Sequence, residues 1–112
     1  MKYKNTLQKG SIRFVVFKED NVWYAAGLEF NIVETGDNPQ EALVLLFEAI
    51  QGYLESAYKI KAHPNILNQK TDPEYETMWN SLQNEKEKTL KQNIFAVGRL
   101  NLVRKNLEFV PA

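Results

Sequence analysis

The stretch Asp37-Asn38-Pro39-Gln40-Glu41-Ala42 decides how this chain is read, because it announces a helix start. The Asn38 side chain can accept a hydrogen bond from an orphan amide of the first turn. Pro39 suits the first helical position, where its missing N–H costs nothing. Glu41 stands three residues after Asn38, within reach of the cap amide. Leu43, Leu46, Phe47, Ile50, Tyr53 and Leu54 follow at spacings of three and four, with Ala42, Ala49 and Ala57 beside them. That stripe predicts a helix from about Pro39 to Ala57 lying on a flat apolar surface.

The surface is supplied by the residues just before it. Ser11–Lys18 reads as a strand that is apolar on both sides near its middle, Ile12, Phe14 and Val16 alternating with Arg13, Val15 and Phe17, so cover on both faces is expected. Lys18-Glu19-Asp20-Asn21 is a polar turn. Val22–Leu28 is a second strand, with Trp23, Ala25 and Gly27 on one side and Val22, Tyr24, Ala26 and Leu28 on the other; its small residues leave room for a helix to approach. Glu29-Phe30 connects to a third strand, Asn31–Gly36, and Gly36 lets the chain turn into the helix. The short first turn requires an antiparallel pair.

Residues 1–10 are expected to be a loose polar lead-in. After residue 57, Lys59 and Lys61 follow the helix C-terminus, where positive charge is favoured. His63-Pro64-Asn65 breaks the chain, and a loop anchored by Ile66 and Leu67 runs to Lys70. Thr71-Asp72-Pro73-Glu74 repeats the start pattern, with Thr71 or Asp72 as cap, and opens a second helix with the apolar stripe Tyr75, Met78, Trp79 and Leu82. That helix frays at Glu85-Lys86-Glu87-Lys88 or continues to Lys91. Ile94–Val97 reads as a strand bounded by Gly98; Leu100, Leu102 and Val103 continue it or form another, and Leu107–Val110 pairs or packs near the end. The expected fold class is α+β: a three-stranded antiparallel sheet packed by a helix (β-β-β-α), then a second helix and one or two C-terminal strands. One domain is expected over residues 1–112, with a core at 12–57 and an extension at 58–112.

The 112 residues are 44% hydrophobic and 25% charged, ordinary for a globular chain, and the formal net charge is zero. The halves differ. Residues 1–56 carry five basic side chains against eight acidic, and residues 57–112 nine against six. With no cysteine, disulfides, thiolate nucleophiles and cysteine-bound metals are excluded, in keeping with a reducing cytoplasm. No apolar run is long enough for a membrane span or a signal peptide.

The order Phe14-Val15-Val16-Phe17-Lys18-Glu19-Asp20, Trp23-Tyr24-Ala25-Ala26, Val33-Glu34-Thr35-Gly36-Asp37, Glu41-Ala42-Leu43, Glu48-Ala49-Ile50 and Tyr53-Leu54 resembles the N-terminal domain of HicB-family antitoxins over residues 12–55. The resemblance implies a partial ribonuclease-H-like fold and a role in capping a small basic RNA-cleaving toxin (HicA-like). It implies no enzyme activity and no cofactor. Glu19, Asp20, Glu29 and Glu34 are the acidic residues expected to meet such a partner, with Trp23 as an aromatic anchor. Two departures stand out. The family often has a Pro-Gly element between strands two and three, where this chain has Leu28-Glu29-Phe30-Asn31-Ile32. Residues 58–112 show neither a helix-turn-helix nor a ribbon-helix-helix pattern, so DNA binding is not expected. Self-association into a homo-oligomer is expected as well, and a stand-alone homo-oligomeric module without a toxin is the alternative.

A metal-dependent nuclease would need converging carboxylates. Asp20, Glu29, Glu34 and Asp37 are the candidates, but they fall in turns and at strand ends, where solvation and capping account for them. The one histidine, His63, has no ligand-spaced partner; Ser11, Ser56 and Ser81 lack nucleophile-elbow context. Lys86, Lys88, Lys91, Arg99, Arg104 and Lys105 are interleaved with Glu85, Glu87 and Glu108, the pattern of a solvated face. Trp23, Tyr24, Tyr75 and Trp79 suit either core or interface.

Overall fold

The computed structural model describes residues 4–6, 9–83, 94–103 and 106–111. The fold is α+β. Five strands, β1 (Lys9–Glu19), β2 (Val22–Gly27), β3 (Ile32–Gly36), β4 (Ile94–Val103) and β5 (Asn106–Pro111), form one sheet in the order β3-β2-β1-β4-β5. All four pairings are antiparallel. The helices are α1 (Pro39–Lys59) and α2 (Pro73–Gln83), with a 3-10 turn at Pro64–Leu67 between them.

The central strand, β1, explains the layering. Its alternation sends Ile12, Phe14 and Val16 into one core, where they meet Ala42, Leu46, Ile50 and Leu54 of α1. It sends Val15 and Phe17 into a second core with Ala26, Leu28 and Trp79 of α2, flanked by Tyr24, Tyr75, Met78 and Val97. One helix therefore covers each face, as a strand apolar on both sides requires. Gly27 brings α1 close: a Cβ there would lie 3.0 Å from Ile50 Cδ1. Phe14 meets Phe47 of α1 edge-on at 5.8 Å between ring centres.

The helix start is built as its sequence indicates, with one change. The Glu41 N–H donates to Asn38 Oδ1 at 2.8 Å. The Glu41 carboxylate, however, accepts from the amide of Asp37 at 2.9 Å rather than from that of Asn38. Gly36 matters through closeness, since a Cβ would stand 2.7 Å from the Ala42 nitrogen. α1 ends with Lys61 in the left-handed region (φ 51) and the Ala62 N–H donating to Ala57 O at 2.9 Å. Asp72 is the cap of α2, its side chain accepting from the Glu74 amide at 2.8 Å.

Three segments differ from their sequence reading. β1 starts at Lys9, and Asn5 in the lead-in is fully buried. Its amide side chain donates to Leu67 O at 2.9 Å and accepts from Ser11 N at 2.7 Å, while Asn68 Nδ2 donates to Asn5 O at 2.8 Å. Those bonds satisfy a buried polar group and tie the lead-in to the loop after α1. β4 runs through Gly98 rather than stopping there, because β1 and β5 bind it on both sides. Residues 104–105 and the possible helix continuation past residue 83 lie outside the described residues.

Candidate partner-binding edge

The β1–β2 turn is a two-residue turn with Asp20 (φ 53) and Asn21 (φ 65) both left-handed, a geometry these residue types tolerate. It holds Glu19 and Asp20 exposed at one end of the sheet. Glu19 stands opposite Val22, and Trp23 opposite Gly36, so the β1–β2 turn and the β3–α1 junction share that end. Trp23 is half-buried against the α1 core, with the ammonium of Lys18 on its ring face at 5.7 Å. Glu34 is half-buried on β3, one of the two edge strands, opposite Ala25.

Glu19 and Asp20 thus stand at the β1–β2 turn and Glu34 on β3, with Glu19 on the α2 face and Glu34 on the α1 face, so the three do not converge on one point. By strand spacings, Glu34 is about 10 Å across the sheet and about 10 Å along it from Glu19. That exceeds the ~8 Å screening length at physiological salt. Each carboxylate acts as a separate contact, suited to a protein surface rather than to one cation. Among the described residues, no group of three or more His, Cys, Asp or Glu side chains is placed to hold a metal ion.

Glu29 sits apart from these three. It is 7% exposed, and its carboxylate is turned onto Arg13. The Arg13 amide donates to Glu29 Oε1 at 2.8 Å and Arg13 Nε to Oε2 at 2.6 Å. The two remaining guanidinium nitrogens grip Glu76 of α2 at 2.8 and 2.7 Å. The guanidinium also lies 5.7 Å from the Trp79 ring centre, and that of Arg99, paired directly opposite Arg13, lies 5.0 Å from it. Glu29 is thus a structural ion-pair partner, where its sequence position had suggested a solvated turn or a partner contact. The hydrogen bonds from Arg13 hold Glu76 below the usual carboxylate range, against the opposing effect of burial. The Arg13 guanidinium is in turn held charged by Glu76 and Glu29.

This ion-pair cluster escaped the sequence reading, yet a signal was present. Arg13 interrupts an apolar run on a strand whose both faces are buried, and a buried cation demands an anion. Tyr75 and Tyr24 flank Phe17 at 5.9 and 5.2 Å, Tyr24 stacked nearly parallel, and burial raises the Tyr75 phenol above its ordinary pKa. His63 lies in the loop and caps the 3-10 turn, its Nδ1 accepting from the Asn65 amide at 3.1 Å. Of the basic C-terminal run, only the Arg99 side chain lies within the described residues. No helix among those residues is long and apolar enough to cross a membrane.

Between Lys18 and Lys59 the chain contains no lysine or arginine, while carrying all eight acidic residues of its first half. That span comprises β2, β3 and α1. Arg13 neutralises Glu29 within it, leaving the others to set the potential of the β3 side of the molecule. No protein-family model, curated protein or solved structure matches the chain.

Proposed function

We propose that the chain is a HicB-like, antitoxin-type protein-binding domain of the cytoplasm that caps and neutralises a small basic RNA-cleaving toxin. The observation that supports it most is the cation-free span from Glu19 to Tyr58, which carries Glu19 and Asp20 at the β1–β2 turn and Glu34 on β3. Separate exposed carboxylates steer a basic partner during encounter and set its orientation more than they add affinity. The β-β-β-α order over residues 12–55 is in keeping with the resemblance of that stretch to HicB antitoxins. On this reading the chain does no chemistry itself.

The test is co-purification of the tagged chain from its native host, with mass spectrometry of what remains bound. The expected result is a stoichiometric small basic protein that cleaves RNA alone and is silenced on adding the chain back. Recovery of the chain alone, at native levels and in low salt, overturns the reading. A second reading, a homo-oligomeric module, draws support from the exposed apolar side chains of α1 and its end, Val44, Leu45, Tyr58 and Ile60. It predicts a stable oligomer of the pure chain whose assembly Val44→Glu and Ile60→Glu disrupt.

A further inference from the structure

We propose that the partner docks on β3, one of the two terminal strands of the sheet, adding an extended strand rich in lysine or arginine beside Ile32–Gly36. This rests on the partner-binding reading and adds the element used and the chemistry of what it receives.

β3 is terminal in the order β3-β2-β1-β4-β5, as β5 is at the other side, and among the described residues it pairs with β2 alone. A strand has backbone N–H and C=O groups on both sides, so the outer row of β3 has no ladder partner within the sheet. An incoming strand satisfies that row with main-chain hydrogen bonds and takes its specificity from alternate side chains. Those alternate clearly here. Val33 and Thr35 are exposed on the face shared with Tyr24 and Ala26, and Ile32 and Glu34 are half-buried on the face shared with Ala25 and α1. An occupant with small apolar residues on the first face and cations on the second matches both.

The charge selects between a foreign strand and a second copy of this chain. A two-fold axis normal to the sheet would pair β3 with β3 antiparallel, keeping residues of one face together. Centring on Glu34 sets the two Glu34 side chains directly opposite. Shifting by one register in either direction leaves them on the diagonal, about 7–8 Å apart on the same face. Asp37 and Glu41, just beyond the Gly36 end, add negative charge there. Self-pairing thus brings carboxylates together in each central register, whereas a basic strand meets Glu34 and Asp37 with opposite charge. Lys70 lies beside Asn31, past the opposite end of β3, so the acidic character belongs to the Gly36 end.

The experiment uses the full chain, isotopically labelled, titrated with a capped peptide of alternating lysine and valine. Controls are the same peptide with glutamate for lysine, and the same peptide N-methylated at alternate backbone nitrogens. Binding by edge pairing shifts the amide signals of Ile32–Gly36 and slows their hydrogen exchange, and N-methylation on the pairing side abolishes both effects. Glu34→Lys weakens binding by about threefold to tenfold, as expected for reversing one cross-strand charge contact. The proposal is overturned if the N-methylated peptide binds equally well, if the shifts fall outside β3, or if the pure chain is already a dimer with β3 protected. A partner that co-purifies but protects other residues refutes the edge while leaving the antitoxin reading intact. Peptide pairing on β3 with no partner in the host refutes that reading and leaves the edge.

Discussion

Replacing Arg13 with methionine tests how α2 and the β2–β3 connection are held to the central strand. The side chain lies beside the second core, against Trp79, and its guanidinium satisfies the 7%-exposed Glu29 while clamping Glu76 of α2. Methionine keeps the aliphatic stem and removes every charged bond. Glu29 then retains the Arg13 backbone N–H as a donor but loses its cation. Breaking a buried pair from one side costs about 3–5 kcal/mol, because an uncompensated charge stays in low dielectric. The Glu76 half of the cluster is worth less: that side chain is 37% exposed, so its pair is partly screened and falls near the ~1 kcal/mol upper end of surface pairs. Arg13→Met should therefore destabilise by about 3 kcal/mol and Glu76→Gln by at most about 1 kcal/mol.

Urea unfolding followed by tryptophan fluorescence reads both, since Trp79 lies under the cluster. With a slope of about 1–3 kcal/mol/M, the Arg13→Met midpoint should fall by about 1–3 M. The double variant Arg13→Met/Glu29→Met is decisive. Removing both partners relieves the stranded carboxylate, so at least half of the lost stability should return. If Arg13→Met matches Glu76→Gln, or if adding Glu29→Met deepens the loss, burial of an unpaired charge is not what makes Arg13 important.

Glu76 should also leave a mark on acid unfolding. Its pKa is lowered in the folded state by the bonds from Arg13, so its contribution is present above the ordinary glutamate pKa and is lost as pH falls through the lowered folded value; Glu76→Gln should flatten the acid limb of stability against pH and leave the neutral-to-alkaline part parallel to wild type. Asn38→Ala removes the acceptor for the Glu41 amide and should cost about 1 kcal/mol by thermal unfolding, with Asn38→Asp retaining most of it. Gly36→Ala should be the more damaging of two glycine substitutions, since its Cβ would meet the Ala42 backbone nitrogen at 2.7 Å, whereas Gly27→Ala meets the movable end of Ile50 at 3.0 Å; equal unfolding midpoints for the two would refute that ordering.

The stretch from β1 to α1 was legible because its signals are local. A two-residue turn, an Asn-Pro helix start and a stripe of apolar residues each act over a few positions, and each agrees with its neighbours. The identity of Glu29 as a buried anion was not legible, because what buries it arrives much later in the chain. The Gln69 N–H donates to Glu29 O at 2.8 Å, Thr71 Oγ1 to Leu28 O at 3.2 Å, and Glu76 joins Glu29 on Arg13. No periodicity in residues 28–31 reports on residues 69–76. Asn5 escaped for the same reason, its partners Leu67 and Asn68 lying more than sixty positions away. Gly98 misled in the opposite sense: a glycine reads as a boundary when viewed alone, but a strand paired on both sides keeps its ladder through one. At the proposed edge, Glu34 and Asp37 were visible as charges, while the free side of β3 became visible only once the sheet order placed β4 against β1 instead of β3.

That sheet order also assigns work to residues 58–112, which the family resemblance leaves out. β4 pairs with β1 from Lys9–Val103 to Phe17–Ile94, so the later half of the chain closes one side of the strand that carries both cores. Leu100 is 1% exposed and belongs to the α1 core, and Trp79 is 5% exposed in the other. A chain cut after α1 would leave the β4 side of β1 unpaired and uncover Val15, Phe17, Ala26 and Leu28, so that β1 in place of β5 would become the second edge, one far more adhesive than β3. The C-terminal half thus moves the second edge of the sheet outward from β1 to β5. With β1 closed on both sides and β3 left open beside Glu34 and Asp37, the fold offers a basic strand a charged edge at β3, while its two apolar faces stay covered by α1 and α2.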